Sequence, residues 1–301
     1  MLNAKKASEP THFVIFGGTG DLTRKKLIPA LLDLYVDGYL PTTFSIVGFS
    51  RRPFSHEEYR KFVREMIASK EHNHSEEQVV AFLKTISYVQ GSFETKTSYQ
   101  DLKKYLDASD QTIGQCTNKL LYLAVPPRFY DTIFDNLAAS KLSEPCGAET
   151  GWARVLVEKP FGRDIQTAQA LDEKLCSVFR EEQIFRIDHY LAKDAIQNIL
   201  TFRFANVLFE DVWNGKHIEK VHIKLFEDFG VKERAAFYDG VGALRDVGQN
   251  HMLQMLALIA MENPAALQAD RLRAKRSDVL KRLRPHKSNS GNTVRGQYRG
   301  Y

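Results

Sequence analysis

From His12 to Phe179 the chain repeats one alternation, a short run rich in Val, Ile, Leu and Phe followed by an amphipathic stretch of helical period. The apolar runs are His12–Phe16, Phe44–Gly48, Ile86–Gln90, Leu120–Val125 and Arg154–Glu158. Between them, Leu22–Tyr35, Ser55–Ala68, Tyr99–Asp107, Phe129–Ala139 and Ile165–Phe179 read as helices. Strands that are apolar on both faces must be covered on both, and strands alternating with helices pair in parallel. The spacing predicts an α/β fold, a Rossmann-like doubly wound parallel sheet whose ligand edge lies at the carboxyl ends of the strands.

The pattern changes after Gln183. A helix is predicted from Leu191 to Phe202, a strand over Val221–Phe226, and a long apolar helix from Val241 to Met261. A chain of 301 residues has room for two cores, because single cores rarely grow past about 250 to 300 residues. The expected division is a dinucleotide-binding domain over 1–185 and an incomplete α+β domain over 186–301, its antiparallel sheet largely missing. A lone strand cannot satisfy its own backbone groups, so strand partners are expected beyond Tyr301. There is no internal repeat, and the closing GQYRGY reads as a loop.

Bulk properties narrow the class. A 43% hydrophobic and 26% charged composition suits a globular domain, and no apolar run reaches the roughly 18 residues of a membrane span. The N-terminus shows no signal-peptide pattern. Cys116, Cys146 and Cys176 form no CxxC arrangement, so they read as reduced thiols in a cytoplasmic protein. From Gln268 onward ten Lys or Arg face two acids, so the net charge of +5 comes entirely from this tail. Arginines spaced along a helix read as a solvated face, and no nucleic acid or membrane partner is expected.

Three clusters carry chemistry. FVIFGGTGDLTRKKL places a strand, a glycine turn and a helix in the order a phosphate-binding turn requires, with Gly17 and Gly20 allowing close backbone approach. The strand FSIVGF is followed by Ser50, Arg51 and Arg52 with no acid, which favours a 2′-phosphate and hence NADP. In VEKPFG, Lys159 stands at the end of the fifth strand, where it can hydrogen-bond a sugar hydroxyl, and Lys159–Pro160 is a candidate cis bond. Tyr130 lies just past the fourth strand end, at the cofactor edge or simply at a helix start.

RIDHYLAKD and RDVGQNH supply acids and imidazoles. Oxidising a secondary or hemiacetal hydroxyl needs a base for the O–H proton, and histidine titrates in the right range. His189, beside Tyr190 and Lys193, suits a phosphate better than a proton. His251 heads an apolar helix and is assigned as the base, with Asp188 as its distant carboxylate partner. The competing reading is a core histidine with satisfied hydrogen bonds. Gly248 costs that helix about 1 kcal/mol relative to Ala, which close approach of a backbone or ligand would explain. His72 and His74 read as a solvated loop leading into a helix, and no metal site is expected.

FGGTGDLTRKK, VEKPFGRD, FRIDHYLAKD and ALRDVGQNHMLQ, in this order, closely resemble the glucose-6-phosphate dehydrogenase family across nearly the whole chain. The resemblance implies NADP-linked oxidation of glucose 6-phosphate at C1 to 6-phosphogluconolactone, the first step of the oxidative pentose phosphate pathway. Carried over by motif, Gly17, Gly18, Thr19, Gly20, Asp21, Leu22, Thr23 and Arg24 contact the coenzyme, with Arg51, Tyr130 and Lys159. His189, Tyr190 and Lys193 hold the 6-phosphate, while Lys159, Glu227 and Asp246 bind sugar hydroxyls. His251 matches the proton acceptor and Asp188 its partner. Ala192 and Asp194 replace the usual glycine and glutamate. Family members continue past GQY into further substrate contacts and a homo-oligomer interface, so the resemblance also implies a C-terminally truncated chain. The alternatives are another NADP-dependent sugar or polyol dehydrogenase of glucose–fructose oxidoreductase type, and a non-catalytic NADP-binding fragment.

Overall fold

A computed structural model describes residues 9–69, 72–147, 150–227, 230–231 and 235–284, with 294, 296, 297 and 299. The first eight residues and half of the closing GQYRGY lie outside them, as does His286. The chain divides into two compact units, Met1–Ile187 and Asp188–Tyr301.

The first unit is a six-stranded parallel sheet. In chain order its elements are β1 Thr11–Phe16, α1 Ile28–Val36, β2 Phe44–Ser50, α2 His56–Ala68, α3 Glu76–Lys84 and β3 Ile86–Gln90. There follow α4 Lys96–Ile113, β4 Asn118–Leu123, α5 Tyr130–Ala139, β5 Ala153–Glu158, α6 Ile165–Val178 and β6 Ile184–Ile187. The strand order β3-β2-β1-β4-β5-β6 is the doubly wound arrangement. Side chains alternate across each strand. Phe13, Ile15 and Ile46 therefore face α1, α2 and α3, packing on Ile28, Leu32, Val63 and Phe82. Val14, Phe16, Val47 and Phe49 face the other layer, with Tyr99, Leu102, Ile133 and Phe134 of α4 and α5.

Local signals start and stop these helices. Ser55 and Ser75 each form a reciprocal capping box with the residue three positions on, Glu58 and Gln78, and Asp164 does so with Thr167. His74 precedes α3 in the expected loop and its Nε2 lies 2.7 Å from Asp33 Oδ1. Helix α4 ends at Gly114 in the left-handed region, φ +79°.

Several expectations need correction. The sheet has a sixth strand, β6, an edge strand of four residues that has Phe185 40% exposed. Val221–Phe226 forms no strand: it alternates, but it has no ladder partner among the described residues. Cys116 and Cys146 are not free thiols but a disulfide. Cys116 precedes β4 and Cys146 the loop into β5, and these neighbouring parallel strands bring the two together. Cys176 is free and exposed.

The second unit contains α7 Asp194–Phe204, two short helices, α8 Val207–Glu210 and α9 Ala235–Tyr238, then α10 Leu253–Ala260 and α11 Ala269–Arg282. The long helix predicted from Val241 is interrupted in kind: Leu244–Met252 is π-helical and continues directly into α10. Gly248 sits in that π segment. Among the described residues an added Cβ there would meet Leu244 Cδ1, at 3.2 Å, and Ala243 O, at 4.0 Å, and no backbone from another element. On α11 most basic side chains are solvated, but Arg276 turns inward, its Nη2 donating to Gln254 Oε1 at 2.6 Å.

At the amino ends of the strands, His12 is 2% exposed, its Nδ1 paired with Ser45 Oγ at 2.5 Å. Its Nε2 lies 3.6 Å from Asp110 Oδ1, and Lys119 Nζ lies 3.5 Å from Asp110 Oδ2. Burial lowers the His12 pKa below 6.5, against the pull of Asp110. A histidine held neutral in the fold but free to protonate when unfolded stabilises fully above that value and loses its contribution as pH falls below it. Melting curves at pH 7.5 and 5.5 are expected to show a larger acid-induced drop in Tm for the wild type than for His12→Asn. Equal drops would refute the role of this imidazole.

Candidate active site

The register of the sheet assembles one edge. Phe16 pairs with Phe49 of β2 and with Leu123 of β4, so the chain leaves all three strands at one level. Gly17 N donates to Phe49 O at 2.9 Å, and Ala124 N to Phe16 O at 3.0 Å. Gly17 turns with φ +87°, and an added Cβ would lie 2.5 Å from Ala124 O. Only glycine fits there. Gly20 N and Thr23 Oγ1 both donate to Gly17 O, at 2.8 and 2.9 Å, which closes the turn.

The helix after the turn opens with a π-helical segment, Thr23–Leu27, before α1. Thr23 is fully buried, so only its backbone can meet a ligand, and Leu22 is half-buried against the core. Asp21 and Arg24 are exposed, and Asp21 pairs with Lys25 at 3.2 Å. Thr19 Oγ1 shares a 3.1 Å hydrogen bond with Ser50 Oγ, linking the turn to the end of β2.

Past β2, Arg51 is exposed, while Arg52 lays its guanidinium over the Phe62 ring, 5.5 Å from the centroid. The Tyr88 hydroxyl holds this segment through Ser50 O at 2.7 Å and Arg52 O at 2.6 Å. The donors at this strand end are hydroxyls and guanidinium groups, with no carboxylate from Ser50 to Pro53. Such a set fits a phosphate better than a ribose diol.

At the end of β5, the Tyr122 hydroxyl donates to the Glu158 carboxylate and the Tyr130 hydroxyl to Glu158 O. Burial raises the pKa of both phenols, so both remain donors. They anchor the strand end that presents the half-buried Lys159, whose bond to Pro160 is cis. Tyr130 is thus 1% exposed and committed beneath β5. A direct ring contact with coenzyme does not follow from this geometry; support of the Lys159 segment does. Tyr122 carries no sequence signal beyond its place in an apolar strand.

In the second unit, His251 is 2% exposed and its Nδ1 lies 2.6 Å from Asp188 Oδ1. The same Asp188 oxygen accepts from Tyr190 N at 3.0 Å. Residues 188–193 are successive tight turns, with Leu191 N on Asp188 O, Ala192 N on His189 O and Lys193 N on Tyr190 O. The turns therefore place the side chains of Asp188, His189 and Tyr190 around one imidazole. The Tyr190 ring stacks on His251 with centroids 4.0 Å apart, and the His189 ring meets it edge-on at 4.9 Å. Lys193 Nζ stands 4.0 Å from the Tyr190 centroid. Burial raises the Tyr190 pKa, and the negative charges of Glu227, Asp188 and Asp246 raise it further.

This cluster offers a cationic, hydroxyl-bearing rim at His189, Tyr190 and Lys193 beside a buried imidazole–carboxylate pair. With Nδ1 committed to Asp188, Nε2 is the nitrogen suited to take a proton. Asp188, His189 and His251 also each offer one ligand atom, all within 4.8 Å of one another, so the same three side chains could hold a metal ion.

The chain matches two family models, the glucose-6-phosphate dehydrogenase NAD binding domain over residues 14–198 and the glucose-6-phosphate dehydrogenase C-terminal domain over residues 200–301. Glucose-6-phosphate 1-dehydrogenase of Chlamydia muridarum is 40% identical over 297 residues, 97% of this chain and 58% of that protein. The enzyme of the same name from Rhizobium meliloti is 42% identical, again covering 97% and 58%. Among solved structures, a glucose-6-phosphate dehydrogenase in complex with its substrate glucose-6-phosphate superposes with a TM-score of 0.84 at 37% identity. That alignment covers 92% of this chain and 56% of the other. The Mycobacterium avium glucose-6-phosphate 1-dehydrogenase gives a TM-score of 0.79 at 35% identity. The chain spans a little over half the length of the curated relatives it matches. It belongs to the glucose-6-phosphate dehydrogenase family.

Proposed function

We propose that this chain carries the coenzyme-binding domain and the first part of the catalytic domain of an enzyme that oxidises glucose 6-phosphate at C1 to 6-phosphogluconolactone. The domains are residues 1–185 and 186–301, and the coenzyme is NADP. The observation that carries the reading is the 2.6 Å contact of His251 Nδ1 with Asp188, inside the cluster of His189, Tyr190 and Lys193. His189, Tyr190 and Lys193 bind the 6-phosphate through two nitrogen donors and a phenol that stays protonated. Lys159, Glu227 and Asp246 bind the sugar hydroxyls. Gly17, Gly18, Thr19 and Gly20 receive the pyrophosphate, Asp21 to Arg24 complete the first helical turn, and Arg51 takes the 2′-phosphate.

Held by the Gly17–Gly20 turn and Arg51, NADP would supply the acceptor for the hydride that leaves C1. His251 takes the C1 hydroxyl proton on Nε2, and the C1–O bond becomes the lactone carbonyl. Asp188 holds the imidazole in the tautomer protonated on Nδ1 and stabilises the imidazolium that forms. Lys159 donates to a sugar oxygen and favours the negative charge that develops there. A homo-oligomeric parent belongs to the same reading. So does a cytoplasmic location, which loses the argument from free cysteines but keeps one fact: among the described residues, no helix is long and apolar enough to cross a membrane.

The test is reduction of NADP followed by the absorbance of the reduced coenzyme. Glucose 6-phosphate is expected to support turnover and unphosphorylated glucose is not; equal rates would favour another sugar dehydrogenase. No turnover with NADP binding intact would favour the non-catalytic alternative. His251→Asn is expected to lower kcat by about 10² to 10⁴ with coenzyme affinity retained, the contribution of a positioned base. Retention of kcat within a factor of a few would remove His251 from the role. Arg51→Ala is expected to weaken NADP binding much more than NAD binding in a calorimetric titration, and equal losses would refute the 2′-phosphate contact.

A further inference from the structure

The glycine turn is held by a side chain from an element that carries none of the residues assigned to coenzyme. Tyr59 of α2 is 0% exposed, and its hydroxyl donates to Gly18 O at 2.8 Å. The phenol reaches that oxygen only because β2 has a gap. An added Cβ at Gly48 would fall 2.5 Å from both Cζ and Oη of Tyr59. At Gly18 an added Cβ would meet Gly48 Cα at 2.8 Å and Tyr59 Oη at 2.9 Å. A glycine of the turn, a glycine of β2 and one tyrosine therefore meet at a single point. Tyr88 packs on the Tyr59 ring with centroids 4.6 Å apart, fixing the ring from its other side.

The peptide plane gives this contact a consequence. In a trans peptide the carbonyl of one residue and the N–H of the next lie in one plane and point in opposite directions. Holding Gly18 O against Tyr59 therefore aims the Thr19 N–H away from the core. Gly17 and Gly18 N–H are both used on Phe49 O, at 2.9 and 3.4 Å, and Gly20 N–H is used on Gly17 O. Thr19 is the one N–H of the four with no acceptor among the described residues. Burial keeps the Tyr59 phenol protonated, so the donor is permanent.

We propose that Tyr59 is a positioning residue for the coenzyme: its hydroxyl, reaching through the gap at Gly48, locks the Gly18–Thr19 peptide with its N–H turned to the pyrophosphate. Without that bond the Gly18–Thr19 peptide is free to rotate, and the turn loses its preset donor. The hydroxyl, not the ring, carries the effect. This rests on the coenzyme reading above.

Tyr59→Phe keeps the ring and its packing and removes only the donor. Binding is read by calorimetry with two probes, NADP and adenosine 2′-monophosphate, which has the 2′-phosphate but no 5′-linked phosphate. The variant is expected to bind NADP about five- to tenfold more weakly, the worth of one hydrogen bond. Its affinity for adenosine 2′-monophosphate is expected to stay at the wild-type value. Unchanged NADP affinity, or an equal loss for both probes, would overturn the proposal, the latter because it signals general loosening of the unit. Should Tyr59→Phe prove unstable, Gly48→Ala displaces the phenol instead and must produce the same NADP-selective loss. A wild-type chain that binds no NADP overturns the coenzyme reading as well, whereas a wild type that binds and a variant that binds equally overturn this one alone.

Discussion

The parallel pairing of β1 with both β2 and β4 is the constraint on which the coenzyme half depends. Because Phe16, Phe49 and Leu123 stand level, three chain segments leave the sheet at one edge and must share space there. Bulk is excluded: Ala124 O closes on Gly17, and Gly48 closes on Gly18. The glycines are thus a packing requirement before they are a binding feature. Burial of the phenylalanines on either face, each worth about 1.5 to 3 kcal/mol, supplies the stability that holds such a crowded junction.

How much of this was legible depends on whether a feature is local. Five of the six strands announce themselves because a strand buried on both faces must be apolar throughout. β6 does not: IFRI is short, lies on the edge, and keeps Arg186 paired to Asp172 and Glu181 on the surface. Val221–Phe226 shows the opposite failure, since alternation describes a strand's faces but not its partner. The Cys116–Cys146 bond and the Tyr59–Gly18 contact join residues 30 and 41 positions apart, and no periodicity reports either.

The site residues divide in the same way. The need of a base for a carboxylate is chemistry that sequence can argue, but the approach of Asp188 to His251 across 63 positions is tertiary structure. Both helices that carry proposed site residues are π-helical where those residues sit, at Thr23–Leu27 and Leu244–Met252. The helical period alone could not foresee this. A π turn widens the backbone and recurs at functional sites. Here it falls at Asp246 and His251, with a glycine between them.

Arg203, 6% exposed near the end of α7, extends the reach of that helix. Its guanidinium donates to Leu258 O at 2.8 Å and Met261 O at 2.9 Å, while Trp213 Nε1 donates to Ile259 O at 2.8 Å. The helix bearing His251 is therefore fastened at two points by the segment that begins at Asp188, by carboxylate at its middle and by guanidinium at its tail. It cannot slide along its own axis relative to the turns holding Tyr190 and Lys193. Such a frame works as a fixed ruler: the span from the Lys193 ammonium on the Tyr190 face to the His251 imidazole is set by the fold itself, before any ligand arrives.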